Sequence, residues 1–335
     1  MKICQYKKNS SAGVIKRLGI IDEDEKIIID PNLCWRADYE RDGYYFANNR
    51  ADAKLPPSLF SLLHLHDNPI EALQEAYGIY QFLKKVGKLH LNDGTPVSFK
   101  YNPEDLAIPL DKIGTYRDFF THEKHVKTGF AKRNEPIPEA WYEMPVYYKG
   151  ATAGFIGPNE EVLWPHYSKQ LDYELELAAV IGKDGKNIKA RNAKKHIFGF
   201  TILNDISARD IQRKEMQVRL GPSKGKDFCS VIGPVIVTYD EFDFKEPNLK
   251  MTCKINGKEW SKGQSGDSKF SFAEMLEFAS MEEWILPGDL MGSGTVGTGC
   301  GLELDKWIKS GDLIEMEIEN IGILKNIVGK PHGKL

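Results

Sequence analysis

Within Leu171–Leu177 the sequence reads L-D-Y-E-L-E-L, and Glu174 and Glu176 stand two apart in a run that is otherwise largely apolar. Residues at that spacing on a strand project to one face. Two carboxylates on one face repel unless a cation lies between them, and for a set of oxygen donors the fitting cation is a hard divalent ion. The plain alternative is an acidic strand that faces solvent.

Other segments carry residues able to join such a site. I-F-G-F-T-I-L-N-D-I-S-A-R-D-I-Q passes from an apolar strand into a helix and sets Asp205 at the strand end, where functional side chains collect on a rigid scaffold. Arg209 and Gln212 are three apart and share a helix face. They offer a cation and an amide to an anionic or carbonyl substrate. Lys226 lies in G-P-S-K-G-K-D. That segment is not a Walker phosphate loop, which needs four residues between its glycines and Ser or Thr after the lysine. Upstream, Asp118 and His125 lie in D-F-F-T-H-E-K-H. Near the C-terminus, G-S-G-T-V-G-T-G-C-G-L-E-L supplies Thr295 and Glu303, and its glycines let backbone approach a ligand closely.

The pair His122 and His125 lacks the H-E-x-x-H spacing of zinc proteases. A metal that gathers four carboxylates is a hard one, not zinc. His122 is therefore read as a surface or supporting residue. His64, His66, His90, His166, His196 and His332 have no motif company and are read as structural or exposed.

The 335 residues allow one large domain or two ordinary ones. A hydrophobic share of 41% and a charged share of 28% suit a soluble globular chain, and a net charge of -3 argues against nucleic acid or an anionic membrane as partner. The five cysteines are widely spaced without a C-x-x-C pair, which argues against a disulfide framework or a structural zinc site. No apolar run reaches the roughly 20 residues of a membrane span, and the N-terminus lacks the apolar core of a signal peptide. The expected location is the cytoplasm.

Residues 1–60 read as short strands with turns, including a hairpin over 13–29 turning at D-E-D-E-K. Asn68-Pro69 opens a helix with Glu71 completing a capping box, and Leu73, Tyr77, Tyr80 and the Phe82-Leu83 pair give that helix its core face. Beyond residue 95 the chain reads as mostly strand. Ser207 and Ser271 are expected to cap two further helices, with Asp210 and Glu274 three residues on, and Phe270 and Met275 are placed for a hydrophobic staple. The alternating tail predicts a hairpin turning near Asn320–Gly322.

Together these segments resemble the fumarylacetoacetate hydrolase family. D-Y-E-L-E-L-A, L-N-D-I-S-A-R-D-I-Q, the Gly225-Lys226 pair and G-T-V-G-T-G-C follow the family's order over about residues 110–328. D-F-x-x-x-x-x-H at Asp118–His125 and P-V-Y-Y-K-G at Pro145–Gly150 resemble its fumarylacetoacetase branch. The resemblance implies an α+β, strand-rich chain. A smaller mixed N-terminal domain over 1–108 would precede a mixed β-roll catalytic domain over 109–335, in a homodimer. It implies a divalent cation on Asp118, Glu174, Glu176 and Asp205, magnesium first, with calcium or manganese as substitutes. It makes His125 the general base and Glu303 its orienting partner. Arg209, Gln212, Lys226, Tyr148 and Thr295 would line the substrate site, while Asp172 is expected to be structural. Two positions depart from the pattern. Phe120 and Met216 stand where animal-type members carry tyrosine, and the lost hydroxyls argue against fumarylacetoacetate itself as substrate.

The reaction expected from this resemblance is hydrolysis of a carbon–carbon bond in a 1,3-diketo acid such as an acylpyruvate. The ion would stabilise the enolate as the bond breaks, and His125 would activate water. Decarboxylation or another lyase reaction of a 2-oxo acid such as oxaloacetate, keto–enol isomerisation and dehydration draw on the same enolate. A non-catalytic metal-binding module is the remaining alternative, and it leaves Arg209, Gln212 and Lys226 without a task.

Overall fold

Three strands, Leu175–Ile181, Ile197–Asn204 and Ser230–Thr238, are buried along their whole length in the computed structural model of the chain. It describes residues 1–10, 13–331 and 333, so that His332 lies outside the described residues. Near-continuous apolar runs of this kind form strands covered on both faces. They lie antiparallel side by side, with Glu176 opposite Leu203 and Phe200 opposite Val237. On one edge Leu290–Gly292 pairs with Leu175–Ile181 and carries Tyr116–Phe119 in parallel, and Tyr147–Gly150 follows. A second sheet orders Lys258–Gln264, Lys250–Ile255, Leu313–Ile318, Gly322–Pro331 and Val162–Trp164. One large core cluster joins residues of both sheets, including Leu177, Phe200, Met251, Met316 and Leu324. The chain is thus strand-rich and α+β, as the sequence predicts.

The N-terminal segment enters the first sheet from its other edge. Lys2–Ser10 pairs with Ser230–Thr238 through Lys2 opposite Val237 and Ile3 opposite Ile236. Gly13–Asp22, Ile27–Ile29 and Ser98–Lys100 then extend it outward. The domain boundary we propose near residue 108 therefore divides a chain whose two parts share one sheet. The hairpin over 13–29 is present, with Asp22 opposite Ile27. The strand Lys2–Ser10 is present too, but past residue 30 the expected short strands give way to helix. Helices Pro31–Arg41 and Ala47–Lys54 occupy this region, and Leu59–Leu65 begins at its end. The missed signal is Asp30-Pro31, in which Asp30 accepts the N–H of Leu33 and Pro31 takes the first helical position.

The other helix starts test the capping rules one by one. Asn68 accepts the N–H of Glu71 at 3.4 Å, and helix Pro69–Lys85 buries Leu73, Tyr80 and Leu83 as expected, whereas Tyr77 is half-buried and Phe82 exposed. Ser271 and Glu274 form a complete capping box on Phe272–Ala279, and Phe270 and Met275 join the same core cluster. Replacing Ser271 by alanine should cost about 1 kcal/mol. The check is a lower urea midpoint with an unchanged slope. Ser207 does not cap its helix. It pairs with Asp172 in a two-residue strand and donates to the Asp205 carbonyl, so it sits too early for helix Arg209–Val218. The C-terminal hairpin is present, with Ile318 opposite Gly322. His64, His90 and His166 are exposed and His66 and His196 half-buried. All five cysteines are free and buried. Among the described residues no helix is long and apolar enough to cross a membrane.

Candidate active site

The sheet brings four distant carboxylates together. Asp118 lies on Tyr116–Phe119, Glu174 just ahead of Leu175–Ile181, Glu176 within it, and Asp205 just past Ile197–Asn204. One oxygen from each lies within 4.8 Å of the others, and all four residues are buried. Gly292, opposite Asp118 in the ladder, makes room for them. A Cβ there would fall 2.5 Å from Asp118 Oδ1 and 3.0 Å from Glu176 Oε2.

Each carboxylate has its own company. Glu176 accepts from the Gly294 N–H at 3.0 Å and from Thr295 Oγ1 at 3.3 Å. Gly294 has φ +79°, a conformation that favours glycine. Asp205 accepts from the Tyr148 hydroxyl at 2.7 Å and from Ser230 Oγ at 3.1 Å. Glu174 accepts from Arg209 Nη2 at 2.6 Å and Lys226 Nζ at 2.5 Å, and Lys226 also pairs with Asp205. Burial, then the charge of Asp205, holds Asp118 well above the usual carboxyl range. Burial, then Asp118, does the same to Glu176. Burial would raise Glu174 too, but Arg209 and Lys226 outweigh it and pull that group down.

This donor set fits a hard divalent cation. Four buried carboxylates converge, two of them are driven towards the neutral form by burial and like charge, and Asp118 Oδ1 is buried without a hydrogen-bond partner among the described residues. An ion ligated by all four would relieve each of these costs.

Beside the cluster, His125 and Glu303 meet. His125 lies on helix Glu123–Ala131 and Glu303 on the short turn of helix Gly301–Leu304. Their Nδ1 and Oε2 atoms are 3.0 Å apart, with both side chains buried. A carboxylate on Nδ1 leaves Nε2 free for proton transfer. The Phe120 ring stands edge-on to His125, with centroids 5.4 Å apart.

Two residues hold this machinery in place. Asp172 accepts from Arg209 Nε at 2.8 Å and from the N–H groups of Gly301 and Leu302 at 2.7 and 3.0 Å. It thereby ties the guanidinium to the turn that carries Glu303. Asp172→Ala should cost roughly 3–5 kcal/mol, because it strips a buried cation of one partner. Chemical denaturation tests this, and a loss below about 1 kcal/mol would remove the anchoring role. The second residue is Glu215, which the sequence reading passed over. Its carboxylate accepts from Ser223 N and Oγ, Lys224 N and Gly225 N at 2.8–3.1 Å. It clasps the loop that delivers Lys226. The signal was an acid on the helix one turn from Gln212, ahead of a glycine- and lysine-containing loop.

The remaining expected residues are placed as follows. Gln212 accepts from Arg209 Nη1 at 2.9 Å. Tyr148 and Thr295 hydrogen-bond to the carboxylates themselves. Met216 is 48% exposed, unlike the buried members of the site. His122 is not a surface residue: it is 1% exposed, and burial, then His125, lowers its pKa to about 3. Cys300, absent from the expected set, lies 3.9 Å from His125 Nδ1 and 3.5 Å from Glu303 Oε2.

Known proteins share this sequence pattern and this fold. An oxaloacetate tautomerase of Bacillus subtilis is 38% identical over 194 residues, covering 57% of this chain and 61% of that protein. The chain thus matches less than two thirds of that relative's length. A fumarylacetoacetate hydrolase from the psychrophile Exiguobacterium antarcticum shares the fold, with a TM-score of 0.68 at 21% identity over 98% of this chain and 99% of that one. A fumarylpyruvate hydrolase from Pseudomonas aeruginosa, solved with Mn2+ and pyruvate, aligns with a TM-score of 0.55 at 22% identity over 65% of this chain and 90% of that one. The family model described as fumarylacetoacetate (FAA) hydrolase C-terminal matches residues 113–329. With the carboxylate cluster and the His–Glu pair both inside that span, the chain belongs to the fumarylacetoacetate hydrolase family.

Proposed function

We propose that this chain is a divalent-cation-dependent enzyme that moves a proton on a small 2-oxo acid, with keto–enol tautomerisation of an oxaloacetate-type dicarboxylate as its reaction. The observation that carries the reading is the buried His125–Glu303 pair, 3.0 Å apart, beside four converging carboxylates. Asp118, Glu174, Glu176 and Asp205 would hold the ion, which when bound polarises a carbonyl oxygen. His125 Nε2 takes a proton from the carbon next to the ketone. The imidazolium, held in register by Glu303, gives a proton to the oxygen, so that a C–H and a C=O become a C=C and an O–H. Arg209 and Lys226 supply positive charge for the substrate's carboxylates. The name of the Bacillus relative supports the substrate class, and Mn2+ and pyruvate in the Pseudomonas enzyme support an ion and a 2-oxo acid in this fold.

Hydrolysis of a carbon–carbon bond in an acylpyruvate is the second reading. The same pair favours it, since a base locked at Nδ1 can equally take its proton from water. The test is one panel of oxaloacetate and acylpyruvates with Mg2+ or Mn2+. Catalysed decay of the oxaloacetate enol absorbance, without loss of CO2 or of carbon, is the expected result. Cleavage products from acylpyruvates alone would put the second reading first. Release of CO2 would mean a decarboxylase, and silence across the panel would mean a metal-binding module.

A further inference from the structure

We propose that His125, Cys300 and Glu303 form a second metal site, distinct from the carboxylate cluster, that takes a soft or borderline ion such as Zn2+. Its donors are an imidazole, a thiol and one carboxylate, the set that zinc selects, whereas four carboxylates select magnesium. His125 Nδ1, Cys300 Sγ and Glu303 Oε2 stand 3.0, 3.5 and 3.9 Å apart in the pairs N–O, S–O and S–N. Zinc bonds of about 2.0–2.3 Å arranged tetrahedrally place such donors about 3.3–3.6 Å from one another. Shifts of a few tenths of an ångström would therefore seat the ion. All three side chains are positioned by elements already described. His125 comes from the first turn of Glu123–Ala131, and Cys300 and Glu303 flank a turn pinned by Asp172.

A second observation points the same way. His122 precedes the helix that carries His125, three residues before it, and is 1% exposed. Neither of its ring nitrogens has a hydrogen-bond partner among the described residues. Buried polar groups are nearly always paired, and one that is not calls for an unseen partner. It enters the same helix start as His125, and the charges of His125 and Glu303 act on it. Three protein ligands leave a tetrahedral zinc ion one further position, which a second imidazole would close.

Coordination replaces the thiol proton, which leaves to solvent, and it occupies the two atoms through which Glu303 orients His125. Zinc here would therefore disarm the base. That consequence rests on the proposed function, while the binding itself does not.

The test uses the whole chain with its carboxylate cluster saturated with Mg2+. Co2+ is added as a spectroscopic probe, and Zn2+ is titrated by calorimetry. The expected result is a thiolate-to-cobalt charge-transfer band at one Co2+ per chain, displaced by Zn2+. In Cys300→Ser the band should vanish and Zn2+ affinity should fall at least about tenfold, the scale that even a supporting residue commands at metal sites. His122→Phe should weaken Zn2+ binding while the thiolate band remains. A wild-type protein without the band overturns the proposal whatever the variants do. So does a band that persists in Cys300→Ser, which would assign the thiolate to another cysteine. Binding of Mg2+ to the carboxylate cluster is read separately, so failure here leaves the proposed function standing.

Discussion

His125→Ala should lower turnover by roughly 10²–10⁴, the usual share of a positioned base, while divalent affinity at the carboxylates stays nearly intact. The cluster needs no imidazole: its four oxygen donors come from other residues. Glu303→Gln should cost somewhat less, since the imidazole survives but loses the partner that fixes its tautomer. The double variant should be no slower than His125→Ala, because groups that act as one unit are not additive. The measurement is kcat for all four proteins on the substrate that the panel identifies. Additive losses would show two independent roles. A His125→Ala enzyme at the wild-type rate would remove the base from the mechanism altogether.

The largest effect on metal binding should come from Asp118→Asn and Glu176→Gln. Each removes an anionic oxygen from the hard-cation site, and calorimetry should show Mg2+ affinity lost in both. Neither should weaken the metal-free fold, because burial and neighbouring acids already disfavour the charged form of these two groups. Glu174→Gln should behave differently. Arg209 and Lys226 both bind that carboxylate, and neutralising it leaves buried cations short of a partner. A loss on the order of 3–5 kcal/mol should accompany the loss of metal. Unchanged Mg2+ affinity in both Asp118→Asn and Glu176→Gln would exclude these residues from the site.

The contrast between Glu174 and Glu176 marks where sequence reading stops. Their spacing placed both in one cluster, because strand periodicity fixes which face a residue takes. It said nothing of which would meet cations, since Arg209 and Lys226 arrive from a helix and a loop. Motif order likewise named Asp118, Asp205, His125 and Glu303, all of which the fold brings to the two neighbouring clusters. Cys300 and Glu215 escaped notice for the same reason. Their roles lie in contacts to side chains and loop amides, and no periodicity encodes those. Tyr148 and Thr295 were placed against a substrate, whereas here their hydroxyls reach carboxylates. In the N-terminal part the error was local. The hydrophobic pattern of residues 31–60 is short and broken, and the helix signals were the caps at Asp30-Pro31 and Ser58.

The pairing of Lys2–Ser10 with Ser230–Thr238 bears on how this chain may be cut. Lys2 and Ile3 cover one side of a strand whose every residue is buried. An isolated catalytic fragment starting at residue 109 would lay bare the backbone amides and carbonyls along Ile236 and Val237, together with apolar surface on Ile3's side of the sheet. Such a raw border recruits other chains. The fragment would retain every carboxylate of the cluster and both members of the His–Glu pair, yet it should precipitate or self-associate where the full chain does not. Anyone shortening this protein for crystallisation or expression would do better to keep the first ten residues than to trust the boundaries of the family match.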